Sequence, residues 1–336
     1  MAAPGILLVK GSAGLGNRIL GLLSALLYAK LSGRRVAVDW SDSLYAPNGE
    51  NIFPLLFSKP VSASVDSQSA SVAPPCWQDH LDTAVEHWLA TLQRRRHRSA
   101  LTADLSRLDY PENVLVFWAH EERVRQQRRH FRGEFQPLAA RTDDAILRDL
   151  IHSELAPHPE IAERVRDFQQ RQWSEEVVGV HMRYSDRRGR IQATLRRVDR
   201  ITASHPKSRV FLATDNEDLL RHARDRYGDR LIATTKWFPT PGQPIHKTAG
   251  GPDGVRKAQD ALLEMYLLGS CGWLVGDQRS SFAYVAALLS NSPPGRISNV
   301  DPGAFLPRWI GQFYGFQRDL LKDDLRYLRR RLGLPG

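Results

Sequence analysis

The sequence predicts an α/β protein of two domains, each built on a parallel sheet. Three observations carry this. Runs such as GILLVK (5–10), VVGV (177–180) and SRVFLAT (208–214) are apolar almost without a break, as in strands covered on both faces. They alternate with helical stretches along the whole chain, the βαβ order of a parallel sheet. The length of 336 residues suits two domains, each with its own core.

The elements follow in order. Strand 5–10 runs into the glycine turn GSAGLGN (11–17), then into a Leu- and Ala-rich helix over 18–31 and a second strand, RRVAVDW (34–40). Residues 60–75, rich in Ser, Ala and Pro, read as a surface loop. Residues 80–98 read as a helix ending in the basic cluster RRRHR, and NVLVFWAH (113–120) as a strand. The basic stretch 121–140 is read as irregular, and 143–155 as a helix. APHPE (156–160) is the candidate hinge, separating domain 1–156 from domain 157–336. Beyond it come a helix (159–172), a strand (177–183), a helix (192–203), a strand (208–214), a helix from Asn216 and the strand RLIAT. A Pro- and Gly-rich stretch (236–254) precedes an amphipathic helix (255–270), a strand (272–277) and a helix (280–290). Leu321, Leu325, Leu328 and Leu332 fall on one face of a C-terminal helix.

Composition narrows the partners. The net charge is +10 and the pI about 9.8, which favours anionic ligands: nucleotides, nucleic acid or acidic lipid headgroups. Two cysteines, Cys76 and Cys271, make neither a disulfide framework nor a zinc site, and the expected compartment is the cytoplasm. The N-terminus lacks a basic leader. ILGLLSALLYAKL is 13 residues long, too short to span a bilayer, so no membrane span is expected.

Ligands of open α/β sheets sit outside the carboxyl ends of the strands, and the candidate residues cluster there. Gly11, Gly14 and Gly16 lie between a strand and a helix, where a backbone can approach an anion closely. A bare tight turn explains them equally well. With Asp39 at the end of the next strand, they also suit a nicotinamide dehydrogenase, although the spacing is G-x-x-G-x-G rather than G-x-G-x-x-G. His181, Arg183 and Asp186 follow strand 177–180. Arg183 suits a phosphate because its planar fork donates in pairs, and His181 suits a ribose or base; a charged surface loop is the plainer alternative. Asp215 ends VFLATD and can accept from guanine, or it or Thr214 can cap the next helix. Ser280 and Ser281 in DQRSS open another helix, as pyrophosphate donors or as a simple cap. The arginines of 94–98 and 123–132 allow nucleic-acid or headgroup binding, but lack an aromatic platform and otherwise form a solvated face.

Taken together, GSAGLGNR, VVGVHMRYSD, VFLATDNEDLL, ALLEMYLLGSC and DQRSSFAYVAALL resemble the NodZ-like α-1,6-fucosyltransferase family in order and approximate spacing, over roughly residues 5 to 295. The eukaryotic core fucosyltransferases are more distant. The resemblance implies a GT-B-like fold of two Rossmann-like domains with parallel sheets facing across a cleft. It implies GDP-fucose as donor, an inverting reaction, no metal and no other cofactor. By motif position, Arg183 matches the arginine on the β-phosphate, and His181 and Asp215 the pair at the guanosine end. Ser281, with Ser280 beside it, matches the phosphate-binding serine. Gly14, Gly16 and Asn17 match the N-domain turn over the donor. Two positions depart from the core enzymes: Tyr184 replaces a second arginine, and Ile191 stands where those enzymes place their proposed base. Asp186 and Asp42 are the remaining candidates to deprotonate an acceptor hydroxyl. The partners implied are a GDP-sugar and a glycan or small-molecule acceptor, with no nucleic acid and with peripheral membrane contact through the basic patches.

Overall fold

The computed structural model describes residues 5–42, 44–46, 48–60, 63–65, 71–91, 100–173, 176–183, 190–238 and 253–301. The chain divides into two compact units, one within 1–43 and 48–156 and the other within 44–47 and 157–308. The C-terminal leucine helix and the 94–98 cluster lie outside the described residues.

The first unit opens with β1 (Ile6–Lys10), α1 (Leu15–Ser32) and β2 (Arg35–Asp39). The short α2 (Phe53–Leu56), β3 (Phe57–Lys59) and β4 (Val72–Ala73) follow, then α3 (Val85–Thr91), β5 (Val114–Phe117), α4 (Val124–Gln127) and α5 (Asp143–Glu154). The sheet order is β2-β1-β5-β4, and every pairing is parallel. α1 is buried along most of its length, from Leu15 to Ala29. That is why its sequence is apolar all round: it is an interior helix of a large domain. No helix among the described residues is long and apolar enough to cross a membrane.

Two expectations change here. The helix read over 80–98 begins only at Val85. The preceding residues turn, with Asp79 at φ +62° and backbone bonds from His80 to Trp77 and from Thr83 to His80. Within the loop read over 60–75, Val72 and Ala73 form a buried edge strand beside β5, too short for any periodicity to reveal.

After β6 (Ala156–Pro157), the second unit contains α6 (Pro159–Gln172), β7 (Val177–Met182), α7 (Ile191–Ser204), β8 (Arg209–Thr214), α8 (Glu217–Tyr227), β9 (Leu231–Ile232), α9 (Gly254–Gly269), β10 (Trp273–Gly276), α10 (Ser281–Leu289) and β11 (Ile297–Asn299). Its sheet runs β11-β10-β7-β8-β9, all parallel. The chain lays down β7, β8 and β9 in one direction, then returns to place β10 and β11 on the other side of β7. The sheet is covered on both faces. Val178, Val180, Val210 and Leu212 pack with Leu195, Val198, Ile201 and Leu220 of α7 and α8. Val177, Phe211 and Ala213 pack with Leu263, Leu267 and Leu268 of α9 and Ala286 of α10. Gly179 is required on that second face: a Cβ there would lie 2.8 Å from the Cys271 sulfur.

Candidate functional site

Strand alternation decides where the polar residues at the sheet edge point. In β7, Val177 and Gly179 face α9 and α10. His181 continues that set, and its ring stacks on Phe282 in the first turn of α10, with centroids 4.8 Å apart and planes 16° apart. Arg183 stands two residues further on. In β8, Phe211 and Ala213 belong to the same face, and Asp215 follows them. In β9, Ile232 does so, and Thr234 and Lys236 follow. All these residues leave the carboxyl edge of the sheet, and His181 borders the point between β7 and β10 where the strand order reverses. In doubly wound sheets that crevice is where ligands bind.

The electrostatics of the edge are specific. Burial pushes the His181 imidazole down to about 4; Arg183 and Lys236 act in the same direction, against Asp215 and Asp277. His181 is therefore neutral at physiological pH. Burial alone would raise the Asp277 carboxyl, but hydrogen bonds from Arg279 hold it below its ordinary value. Lys236 Nζ lies 2.8 and 2.7 Å from the two carboxylate oxygens of Glu264, and the Thr234 hydroxyl donates to Glu264 Oε1 at 2.5 Å.

Two of the plainer alternatives fail on geometry. The cap of α8 is Asn216, whose side chain accepts from the Leu219 amide at 2.8 Å; neither Thr214 nor Asp215 has that role. Ser280 occupies the cap position of α10 but makes no side-chain capping bond, and its hydroxyl is buried without a hydrogen-bond partner among the described residues. A buried hydroxyl left unpaired carries a desolvation cost. A helix N-terminus with its first amides and an unengaged hydroxyl is a ready anion site. Ser281 is the first residue of the same helix.

In the first unit, Gly11 must be glycine, since a Cβ there would lie 2.4 Å from the Trp40 ring. The left-handed residue of the turn is Ala13, at φ +61°. Gly14 caps α1 in an extended conformation without a side-chain bond, and its carbonyl accepts from Asn17 N at 3.0 Å; Gly16 is buried in the first turn of α1. The acid of the dehydrogenase alternative is engaged internally: Asp39 pairs with Lys10 at 2.5 Å, and Lys10 is itself buried. Asp42, a candidate base, is fully buried in an ion pair with Arg18. A carboxylate with no exposed surface cannot meet an acceptor hydroxyl, which removes Asp42 from that role. The basic stretch 123–132 is also partly turned inward, with Arg123 buried and Arg128 bonded to Asp143 at 2.7 Å.

The second unit thus brings together His181, Arg183, Asp215, Ser280 and Ser281, while Gly14, Gly16 and Asn17 belong to the first. Asp186 lies outside the described residues. Sequence reasoning missed Lys236, Glu264, Asp277 and Phe282. Glu264 left a faint signal, a lone carboxylate among the buried Leu262, Leu263, Met265, Leu267 and Leu268.

No protein-family model matches the chain. Nodulation protein Z of Bradyrhizobium diazoefficiens is 25% identical over 322 residues, covering 84% of this chain and 80% of that protein. A NodZ α-1,6-fucosyltransferase crystal soaked with GDP-fucose superposes with a TM-score of 0.56 at 19% identity, over 86% of this chain and 93% of that one. A mutant of Arabidopsis thaliana FUT1 in complex with GDP gives 0.54 at 18% identity, over 88% and 72%. The chain is NodZ-like: a relative of nodulation protein Z that carries the GT-B fold of the fucosyltransferases.

Proposed function

We propose that the chain is a fucosyltransferase that moves fucose from GDP-fucose to a hydroxyl of a glycan or other glycosylated acceptor. The observation that carries this reading is the α10 N-terminus, whose Ser280 hydroxyl has no hydrogen-bond partner among the described residues and which follows the strand paired with β7, the strand that Arg183 follows. A nucleoside diphosphate leaving group needs its growing negative charge stabilised. A fixed guanidinium, helix amides and hydroxyls supply that without a divalent cation. The kinship with nodulation protein Z supports the choice of sugar nucleotide.

In the reaction the bond from fucose C1 to the β-phosphate oxygen breaks, and GDP departs with the electron pair. Arg183, Ser280 and Ser281 hold the diphosphate. His181, neutral, and Asp215 hold the nucleoside. The acceptor oxygen bonds C1 from the opposite face, inverting the configuration, and its proton passes to a carboxylate, for which Asp186 is the candidate. We assign the acceptor side and the Gly14, Gly16 and Asn17 turn to domain 1–156, and the nucleotide sugar to domain 157–336. We place the enzyme in a bacterial cytoplasm, with basic patches suited to peripheral contact with anionic lipid.

Arg183→Ala is expected to nearly abolish GDP release from GDP-fucose with an unchanged far-UV spectrum, and wild-type activity is expected to persist in EDTA. Full activity in the variant, or a strict need for manganese, overturns this mechanism. A thermal-shift panel of GDP, GDP-fucose, UDP, NAD and short DNA is expected to show stabilisation by the first two alone.

A further inference from the structure

A cavity of about 500 Å³ lies between α7 and the edge strand β11 of the second unit. It is on the other face of the sheet from the diphosphate donors. Val300 packs against the layer of Leu195 and Val198, and Ser298 shares its side by alternation, whereas Ile297 packs against the α9–α10 layer. Two of the side chains around the cavity are charged, Arg197 and Arg200, and no carboxylate among the described residues lines it. Three residues apart, the two arginines share one face of α7.

Neither arginine meets a carboxylate among the described residues, although acids stand close by. Asp199, between them in the chain, is turned to α8: Arg226 takes both its oxygens, at 3.0 and 2.5 Å, and the Tyr227 hydroxyl adds a bond at 3.1 Å. Glu176 is held by Arg296 at 2.5 Å, and Asp277 by Arg279, which also reaches Asp301 at 3.5 Å. The helix α7 therefore sends its acid one way and two bases another. Arg197 uses one N–H on the Ser298 hydroxyl, at 2.8 Å, which orients its fork. Arg200 makes one long bond, to the Arg196 carbonyl at 3.4 Å. A guanidinium has five N–H donors, so most of both sets remain unused. The backbone adds a donor. Val300 gives its amide to Gly276 of β10 at 3.0 Å, and alternation then turns the Asn299 amide away from β10, to the open side of an edge strand. A Cβ built on Gly295 would meet nothing within 4 Å, so the space is open there too.

Two uncompensated guanidiniums beside a hydroxyl and an amide complement a compact anion with several oxygens. A single carboxylate matches neither the charge nor the number of donors. A phosphate monoester matches both, with a charge of about −1.5 to −2 at neutral pH and three terminal oxygens. The cavity is larger than a phosphate and falls in the range of small-molecule sites, which leaves room for the body that carries the ester. We propose that Arg197 and Arg200, with Ser298 and the open edge of β11, form a further ligand site of the second unit, which takes a phosphate monoester. A soluble sugar phosphate and the headgroup of phosphatidic acid share that chemistry. The site goes beyond the fucosyltransferase reading and does not depend on it, since it lies on the face away from the donor.

The test uses the full chain. Glucose 6-phosphate is titrated calorimetrically without and with saturating GDP, and co-sedimentation is measured with phosphatidylcholine vesicles that contain or lack phosphatidic acid. The decisive variant is Arg197→Gln with Arg200→Gln. Neither charge leaves an acid unpaired behind it, so Tm is expected to hold. Arg166→Gln with Arg224→Gln is the control, which removes the same charge from two exposed positions outside the cavity. Gly295→Glu places a competing carboxylate in the open space. Affinity for the ester, the phosphatidic acid vesicles or both is expected to fall at least about tenfold in the double variant and in Gly295→Glu. It is expected to stay within about twofold in the control, and to be the same with and without GDP. A response to the ester alone identifies a soluble ligand and one to the vesicles alone a lipid headgroup; either supports the site. A wild type that binds neither probe, unchanged binding in either cavity variant, or an equal loss in the control overturns the proposal. So does displacement of the ester by GDP, which would place it at the nucleotide edge.

Discussion

The neutral, buried His181 makes the second unit sensitive to acid in a measurable way. Its imidazole stands at about 4 in the folded chain, against an ordinary 6.5, because burial disfavours the charged form. The folded-state value is the lower one, so between these limits the unfolded chain binds the proton and the native chain does not. Stability contributed by the neutral ring is present above pH 6.5 and is lost as pH falls toward 4. A drop of that size corresponds to about 3 kcal/mol. For a unit of this size it corresponds to about 6–12 °C in Tm. The assay is urea unfolding of the wild type and His181→Gln at pH 7 and pH 4.5, read by intrinsic fluorescence. Other groups titrate over the same range, so the informative quantity is the difference between the two proteins. The wild type is expected to lose about 2–3 kcal/mol more than the variant on acidification. Equal losses in both would refute the reasoning, since they would mean the ring accepts its proton in place.

Two further outcomes follow from the geometry. Ser280→Ala removes a buried hydroxyl that has no partner among the described residues, so Tm is expected to hold or rise slightly, while GDP binds about 10-fold more weakly from the loss of a charge-assisted bond; a calorimetric titration and a melt on the same preparation check both. Arg18→Met leaves the Asp42 carboxylate buried without its ion pair, and is expected to cost about 3–5 kcal/mol in urea unfolding at neutral pH, with Arg18→Met/Asp42→Leu recovering most of it.

What could be seen in the sequence, and what could not, divides along physical lines. The strands of both sheets were visible because a strand covered on both faces is apolar at every position, as in Leu7, Leu8 and Val9. Arg183 and His181 stood out because polar residues abruptly end such a run. The start of α3 was misread because the His80–Val85 stretch carries helical spacing, while the backbone just before it is bent by the left-handed Asp79 and the flanking indoles of Trp77 and Trp88 meet edge-on at 5.7 Å. Neither constraint shows in the spacing of apolar residues. Asn216 and Asp215 are equally good caps by residue type, and only the strand alternation separates them. Lys236 and Glu264 are 28 residues apart, and nothing at either position announces the other. The Ser280 hydroxyl reads as an ordinary cap until the bond it fails to make is seen.

One feature of β7 has a consequence for how the protein can vary. His181 shares its face with Val177 and Gly179, and the intervening valines fill the opposite layer. Deleting or inserting a single residue upstream within this strand would exchange the two layers, aiming the imidazole at α7 and driving a valine against the Cys271 thiol. Length changes are therefore poisonous inside β7 and tolerable only past its end, so drift in this protein's chemistry has to proceed there by replacing side chains in place.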